Sequence, residues 1–206
     1  MKKRIGIFGG TFDPVHLGHL SIARDAQAFA QLDEVLFVPN VASPFKLDAR
    51  PAEAEHRVEM LRLALADQPD FHLSELELER GGVSYSIDTV EALRAEDPER
   101  ALFFIIGADS LVDLHRWRRP YELLEACTFI VLARPGFELR PADVSLDPPW
   151  SERLIGNLCT VHLVDISSTE VRAKAAQGKP LKALVPPAVE AYIERCQLYQ
   201  QPPKEP

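Results

Sequence analysis

Four runs of this chain are apolar at almost every position: RIGIF (4–8), EVLFVP (34–39), LFFII (102–106) and TFIVLA (128–133). A strand with one face in water alternates apolar and polar residues, whereas a strand covered on both faces is apolar throughout. Between the runs the spacing becomes helical. Residues 17–31 carry Leu20, Ala23, Ala26 or Gln27, and Ala30 near one face, and residues 52–66 turn Val58, Leu61 and Leu65 inward. Buried strands alternating with helices specify an α/β fold, a doubly wound parallel sheet with helices on both sides.

The rest of the chain fits this frame. Helices are expected at 86–95, 121–126, 169–177 and 187–196, and a last strand at 160–164. FHLSELEL (71–78) alternates and reads as a half-exposed strand. Residues 135–150 hold four prolines and read as a surface loop, and the tail 200–206 reads as disordered. With 206 residues, 46% of them apolar, one domain over 1–206 with C-terminal helices in 168–198 is expected.

Composition excludes several functions. Acidic residues outnumber basic ones 31 to 23, a formal charge of -8, with no Lys/Arg tract. Nucleic-acid partners need a basic face, so none is expected. The three cysteines, Cys127, Cys159 and Cys196, form no CxxC pair, which predicts buried free thiols in a reducing compartment and no protein-held metal. No apolar stretch is long enough to span a membrane, and the first one is too short for a signal sequence. A cytoplasmic protein without a membrane partner is expected. No residue pattern assigns an oligomeric state.

Doubly wound sheets bind ligands at the carboxyl ends of their strands. The unusual residues gather in those turns: GGTFDPVHLGH (9–19), PNVASPFK (39–46), GADS (107–110), ARPG (133–136) and DISSTEVR (165–172). In the first, Gly9 and Gly10 permit close approach of an anion to the backbone, and a helix N-terminus follows. GxxxxGK[ST] and GxGxxG are both absent from this turn, which disfavours a P-loop and an NAD-binding turn. His16 and His19, three residues apart, fall on one face of the helical first turn, where both imidazoles can donate to one phosphate chain.

GGTFDPVHLGH resembles the HxGH signature of the nucleotidyltransferase superfamily, and DISSTEVR its ISSTxxR signature. VPNVASPFK, RVEML, SYSIDTV, GADSLVDLHRW, VLARPG and LVPPAVEAYIERCQLY extend the resemblance to the bacterial nicotinate-mononucleotide adenylyltransferases over nearly the whole chain. It implies a Rossmann-like nucleotidyltransferase fold, with ATP and nicotinate mononucleotide as substrates and Mg²⁺ carried with ATP. His16, His19, Lys46 and Arg172 are implied catalytic groups. Nucleotide contacts are implied for Gly9, Gly10, Thr11 and Phe12, for Gly107, Asp109 and Arg134, and for Ile166, Ser167, Ser168 and Thr169. Tyr85, Ser86 and Trp117 are implied on the acceptor side; the family usually shows Thr where Ser86 stands.

The residues alone leave other roles open. Ser168 or Thr169 can cap a helix, Asp109 can accept from a ribose or cap the next helix, and Arg134 can be a turn arginine. Lys46 can be a solvated lysine, Trp117 a packing residue, and Asp13 reads as a turn residue. The signature pair is also shared by superfamily members with other acceptors: nicotinamide mononucleotide, phosphopantetheine or glycerol phosphate. A synthetase fragment is opposed by the acidic charge, and a nucleotide sensor by the complete set of candidate catalytic residues.

Overall fold

The computed structural model describes residues 2–41, 51–133, 136, 139–160, 162 and 165–200. They run β1 (Arg4–Gly10), α1 (Leu17–Ala30), β2 (Glu34–Pro39), α2 (Ala54–Leu65), β3 (Phe71–Leu73), α3 (Leu76–Arg80), α4 (Ser86–Glu96) and β4 (Ala101–Gly107). Then come α5 (Ala108–Val112), α6 (Pro120–Ala126), β5 (Thr128–Ala133), α7 (Trp150–Gly156), β6 (Leu158–Thr160), α8 (Ser168–Ala176) and α9 (Pro187–Arg195). The strands form one parallel sheet in the order β3-β2-β1-β4-β5-β6.

The apolar runs are explained by two cores, one on each side of the sheet. Within β4, Phe103 and Ile105 join the core beneath α1, α2, α8 and α9, while Leu102, Phe104 and Ile106 join the core beneath α4–α7. In β5, Ile130 and Leu132 face the first, and Phe129, Val131 and Ala133 the second. Residues 102–106 of β4 and 129–133 of β5 therefore all leave water, which removes the polar half of the usual alternation.

Four expectations are corrected. FHLSELEL stops being a strand at Leu73 and becomes helical at Leu76, because Glu77 turns inward and accepts a 2.6 Å hydrogen bond from the buried Thr89 hydroxyl of α4. The proline-rich stretch is not wholly a surface loop: Val144 and Leu146 are buried in the second core, and α7 begins at Trp150 directly after Pro149. The last strand is described at 158–160, two residues earlier than expected, with residues 161, 163 and 164 outside the described set. Cys127 and Cys159 are buried, but Cys196 is only half-buried; all three are free. Tail residues 201–206 lie outside the described residues. No described helix is long and apolar enough to cross a membrane.

Candidate active site

Strand order reverses between β1 and β4, so the crevice of this sheet opens at their carboxyl ends. Gly9 and Gly10 are the last residues of β1, in register with Val38 and Pro39, and the turn proper starts at Thr11. A Cβ on Gly10 would sit 3.0 Å from the Phe12 ring, while one on Gly9 would meet nothing within 4 Å. Phe12 takes the left-handed region at φ 49 and buries its ring edge-on to His19, with centroids 5.1 Å apart. Asp13 and Pro14 follow, joined by a cis peptide bond.

His16 caps α1 and His19 is its third residue. The two exchange hydrogen bonds: the His19 N–H donates to His16 Nδ1 at 3.3 Å, and the His16 N–H to His19 Nδ1 at 3.2 Å. The rings stack with centroids 3.7 Å apart. Gly18 makes this possible, since a Cβ there would fall 2.9 Å from His16 Nδ1. Because both Nδ1 atoms accept, each ring carries its proton on Nε2. Burial lowers the His16 pKa to about 4, against a smaller opposing pull from Glu170. Burial, then the neighbouring His16, drives that of His19 well below its usual value. The pair is thus neutral, with one N–H donor on each ring. The helix amides contribute less than the sequence suggested, for Leu17 N–H is taken by the Leu184 carbonyl at 2.8 Å.

The start of α8 abuts this turn. Arg172 Nη1 donates to the Asp13 carbonyl at 2.6 Å and lies 3.8 Å from Asp13 Oδ2, and its Nη2 donates to Thr169 Oγ1 at 3.3 Å. Ser168 Oγ donates to the Pro14 carbonyl at 3.0 Å. The helix cap is neither Ser168 nor Thr169 but Ser167, whose hydroxyl accepts from the Glu170 N–H at 3.1 Å; Ser168 is withheld from capping by its bond to the first turn. The Ile166 carbonyl lies 3.5 Å from the point a Gly18 Cβ would occupy. His16, His19, Ile166, Ser168, Thr169 and Arg172 therefore share one place.

Gly107 ends β4, and the Asp109 carboxylate folds back against it. Asp109 does not cap α5; Gly107 occupies that position, leaving Asp109 exposed in the first turn. Tyr85 precedes α4 and Ser86 opens it. Trp117 packs edge-on to Phe104 at 6.0 Å, and the neighbouring Arg118 places its guanidinium 4.7 Å over the Tyr85 ring. Tyr85 and Trp117 pack against the second core, across the sheet from the histidine helix. Lys46 and Arg134 lie outside the described residues.

The cytidylyltransferase-like family matches residues 7–174. A protein of Herpetosiphon aurantiacus named "probable nicotinate-nucleotide adenylyltransferase" is 41% identical over 198 residues, covering 96% of this chain and 98% of its own. One of the same name from Thermus thermophilus is 44% identical over 197 residues, covering 96% of this chain and 100% of its own. The chain belongs to the nicotinate-nucleotide adenylyltransferase family. Its fold is also that of the Plasmodium falciparum nicotinic acid mononucleotide adenylyltransferase solved with NaAD, at TM-score 0.76 and 21% identity, covering 96% of this chain and 97% of the other.

Within this family member, sequence reasoning missed the supports of the first turn. Asp13 is buried, and its Oδ1 accepts from the Tyr199 hydroxyl at 2.8 Å and the Ala52 N–H at 3.2 Å. Burial raises the Tyr199 pKa, so the phenol keeps the proton it donates. The TFDP tetrapeptide signals a turn but nothing in it points 186 residues ahead.

Proposed function

We propose that this chain transfers the adenylyl group of ATP to nicotinate mononucleotide, releasing pyrophosphate and forming nicotinate adenine dinucleotide for NAD biosynthesis. The observation that carries this reading is the joining of the HxGH turn to the start of α8 through Arg172–Asp13 and Ser168–Pro14, in a chain of this family. The 5′-phosphate of the acceptor attacks the α-phosphorus in line, and pyrophosphate leaves. A phosphate monoester is largely ionised near neutrality, so the attack requires no base.

His16 and His19 act as neutral donors to oxygens of the α-phosphate. They hold charge where it grows without having to change protonation state. Arg172 meets the charge building on pyrophosphate, and Lys46 joins it on the strength of sequence resemblance. Gly9 to Phe12, Gly107, Asp109, Arg134 and Ile166 to Thr169 line the nucleotide, and Tyr85, Ser86 and Trp117 the pyridine end. ATP enters as its Mg²⁺ complex. Among the described residues no three His, Cys, Asp or Glu side chains gather to cage a cation; a Mg²⁺ ion arriving on ATP would neutralise phosphate charge there. We take residues 1–206 as one cytoplasmic domain.

Pyrophosphate release tests the reading. With ATP present, nicotinate mononucleotide should support turnover well above that of nicotinamide mononucleotide; release with neither acceptor overturns the assignment.

A further inference from the structure

Arg57, in the first turns of α2, is 2% exposed. Among the described residues its guanidinium hydrogen-bonds main-chain carbonyls: Nη1 donates to Thr11 O and Asn40 O, both at 2.9 Å, and Nε donates to Ala52 O at 3.0 Å. Thr11 belongs to the turn after β1, Asn40 to the turn after β2, and Ala52 to the approach to α2. Burying a cation is expensive, and carbonyls facing solvent would be satisfied by water at lower cost. A planar fork with several rigid donors reaches oxygens from three chain segments at once, which an ammonium cannot do. The Asp13 carboxylate supplies the largest favourable charge against the burial.

The fixed carbonyl of Thr11 belongs to the peptide that leads into Phe12. Phe12 holds φ 49 and sets its ring edge against His19 at 5.1 Å. We propose that Arg57 is a positioning residue for the transfer reaction: by tying Thr11 to Asn40 and Ala52 it fixes the Phe12 ring, and through it the orientation of the His19 imidazole. This rests on the adenylyl-transfer reading above.

The test is a comparison of Arg57→Lys, His19→Ala and their double variant in steady-state turnover of ATP with nicotinate mononucleotide. Arg57→Lys should lower kcat by about 10- to 100-fold, the scale of a displaced catalytic group, with the acceptor KM changed by less than about twofold. In the His19→Ala background the same substitution should cost almost nothing further, because the group it positions is gone. A folded Arg57→Lys protein with wild-type kcat, a change confined to KM, or an undiminished loss in the His19→Ala background overturns the proposal. Should Arg57→Lys not fold, Phe12→Leu removes the ring that relays the effect and should show the same loss of kcat with the acceptor KM unchanged; wild-type kcat there overturns the relay. Failure of the wild-type protein to turn over these substrates contradicts the function reading instead, whatever the variants do.

Discussion

Arg172 Nη1 lies 2.6 Å from the main-chain oxygen of Asp13, joining segments 159 residues apart. With Nη2 held on Thr169 Oγ1, the guanidinium plane is set by the protein before a ligand arrives. A guanidinium carries more donors than these two bonds use, so the rest can grip phosphate oxygens. The same contact that brings the last crossover to the first turn thus orients the cation.

Arg172→Lys keeps the charge but loses the fork. It should lower kcat by roughly 10- to 100-fold and break the Asp13 contact. ATP affinity in the wild-type protein should weaken as salt rises, and the slope should shrink in Arg172→Gln. Rate measurements across a salt series check both, and a salt-insensitive wild-type protein speaks against the electrostatic role.

His19→Ala should cost about 10²- to 10³-fold in kcat, the usual scale for losing one preorganised donor to a developing oxyanion. Thermal unfolding should show the protein still folded. A well-folded variant with normal kcat removes His19 from the chemistry.

Gly18→Ala tests the stacked pair through activity. Alanine in a helix is favoured over glycine by up to about 1 kcal/mol. Yet the new Cβ would press within 2.9 Å of His16 Nδ1 and force the ring off its stack. Turnover should fall by about tenfold or more, and the unfolding midpoint should not rise, because the displaced ring also gives up its cap on the His19 N–H. Activity at the wild-type level contradicts the stacked, doubly capped geometry.

The lowered histidine pKa values make stability depend on pH. Between the unfolded value of 6.5 and the folded value of about 4 for His16, the unfolded chain binds more protons. Stability is therefore unaffected above that window and lost as pH falls through it, by about 2 kcal/mol from His16 alone at about pH 5. Denaturant unfolding at two pH values measures the loss. Nitrogen NMR should find both rings neutral with the proton on Nε2 near pH 6; a ring half-charged there contradicts the geometry.

The sheet was legible because burial on both faces leaves an apolar run that needs no partner to be recognised. The histidine spacing was legible too, but not that His16 is itself the cap, a position where Ser, Thr, Asp and Asn dominate. Three hydroxyls at 167–169 gave no local reason to prefer Ser167; the preference comes from Ser168 being bound to Pro14 across the fold. Asp13–Tyr199 and Arg57–Thr11 were illegible for the same reason, since each is a tertiary bond with no periodic trace. Glu77 misled the reading of β3 because a buried acid with a distant hydroxyl partner looks, in sequence, like the exposed side of a strand.

The central claim is that two imidazoles and a guanidinium from opposite ends of the chain embrace one triphosphate. A crystal structure with an ATP analogue carrying a methylene between its α- and β-phosphorus tests it most directly. The account predicts phosphate oxygens within hydrogen-bond distance of His16 Nε2, His19 Nε2 and the Arg172 guanidinium together. A triphosphate seated away from the HxGH turn, or reaching the histidines without Arg172, would contradict it.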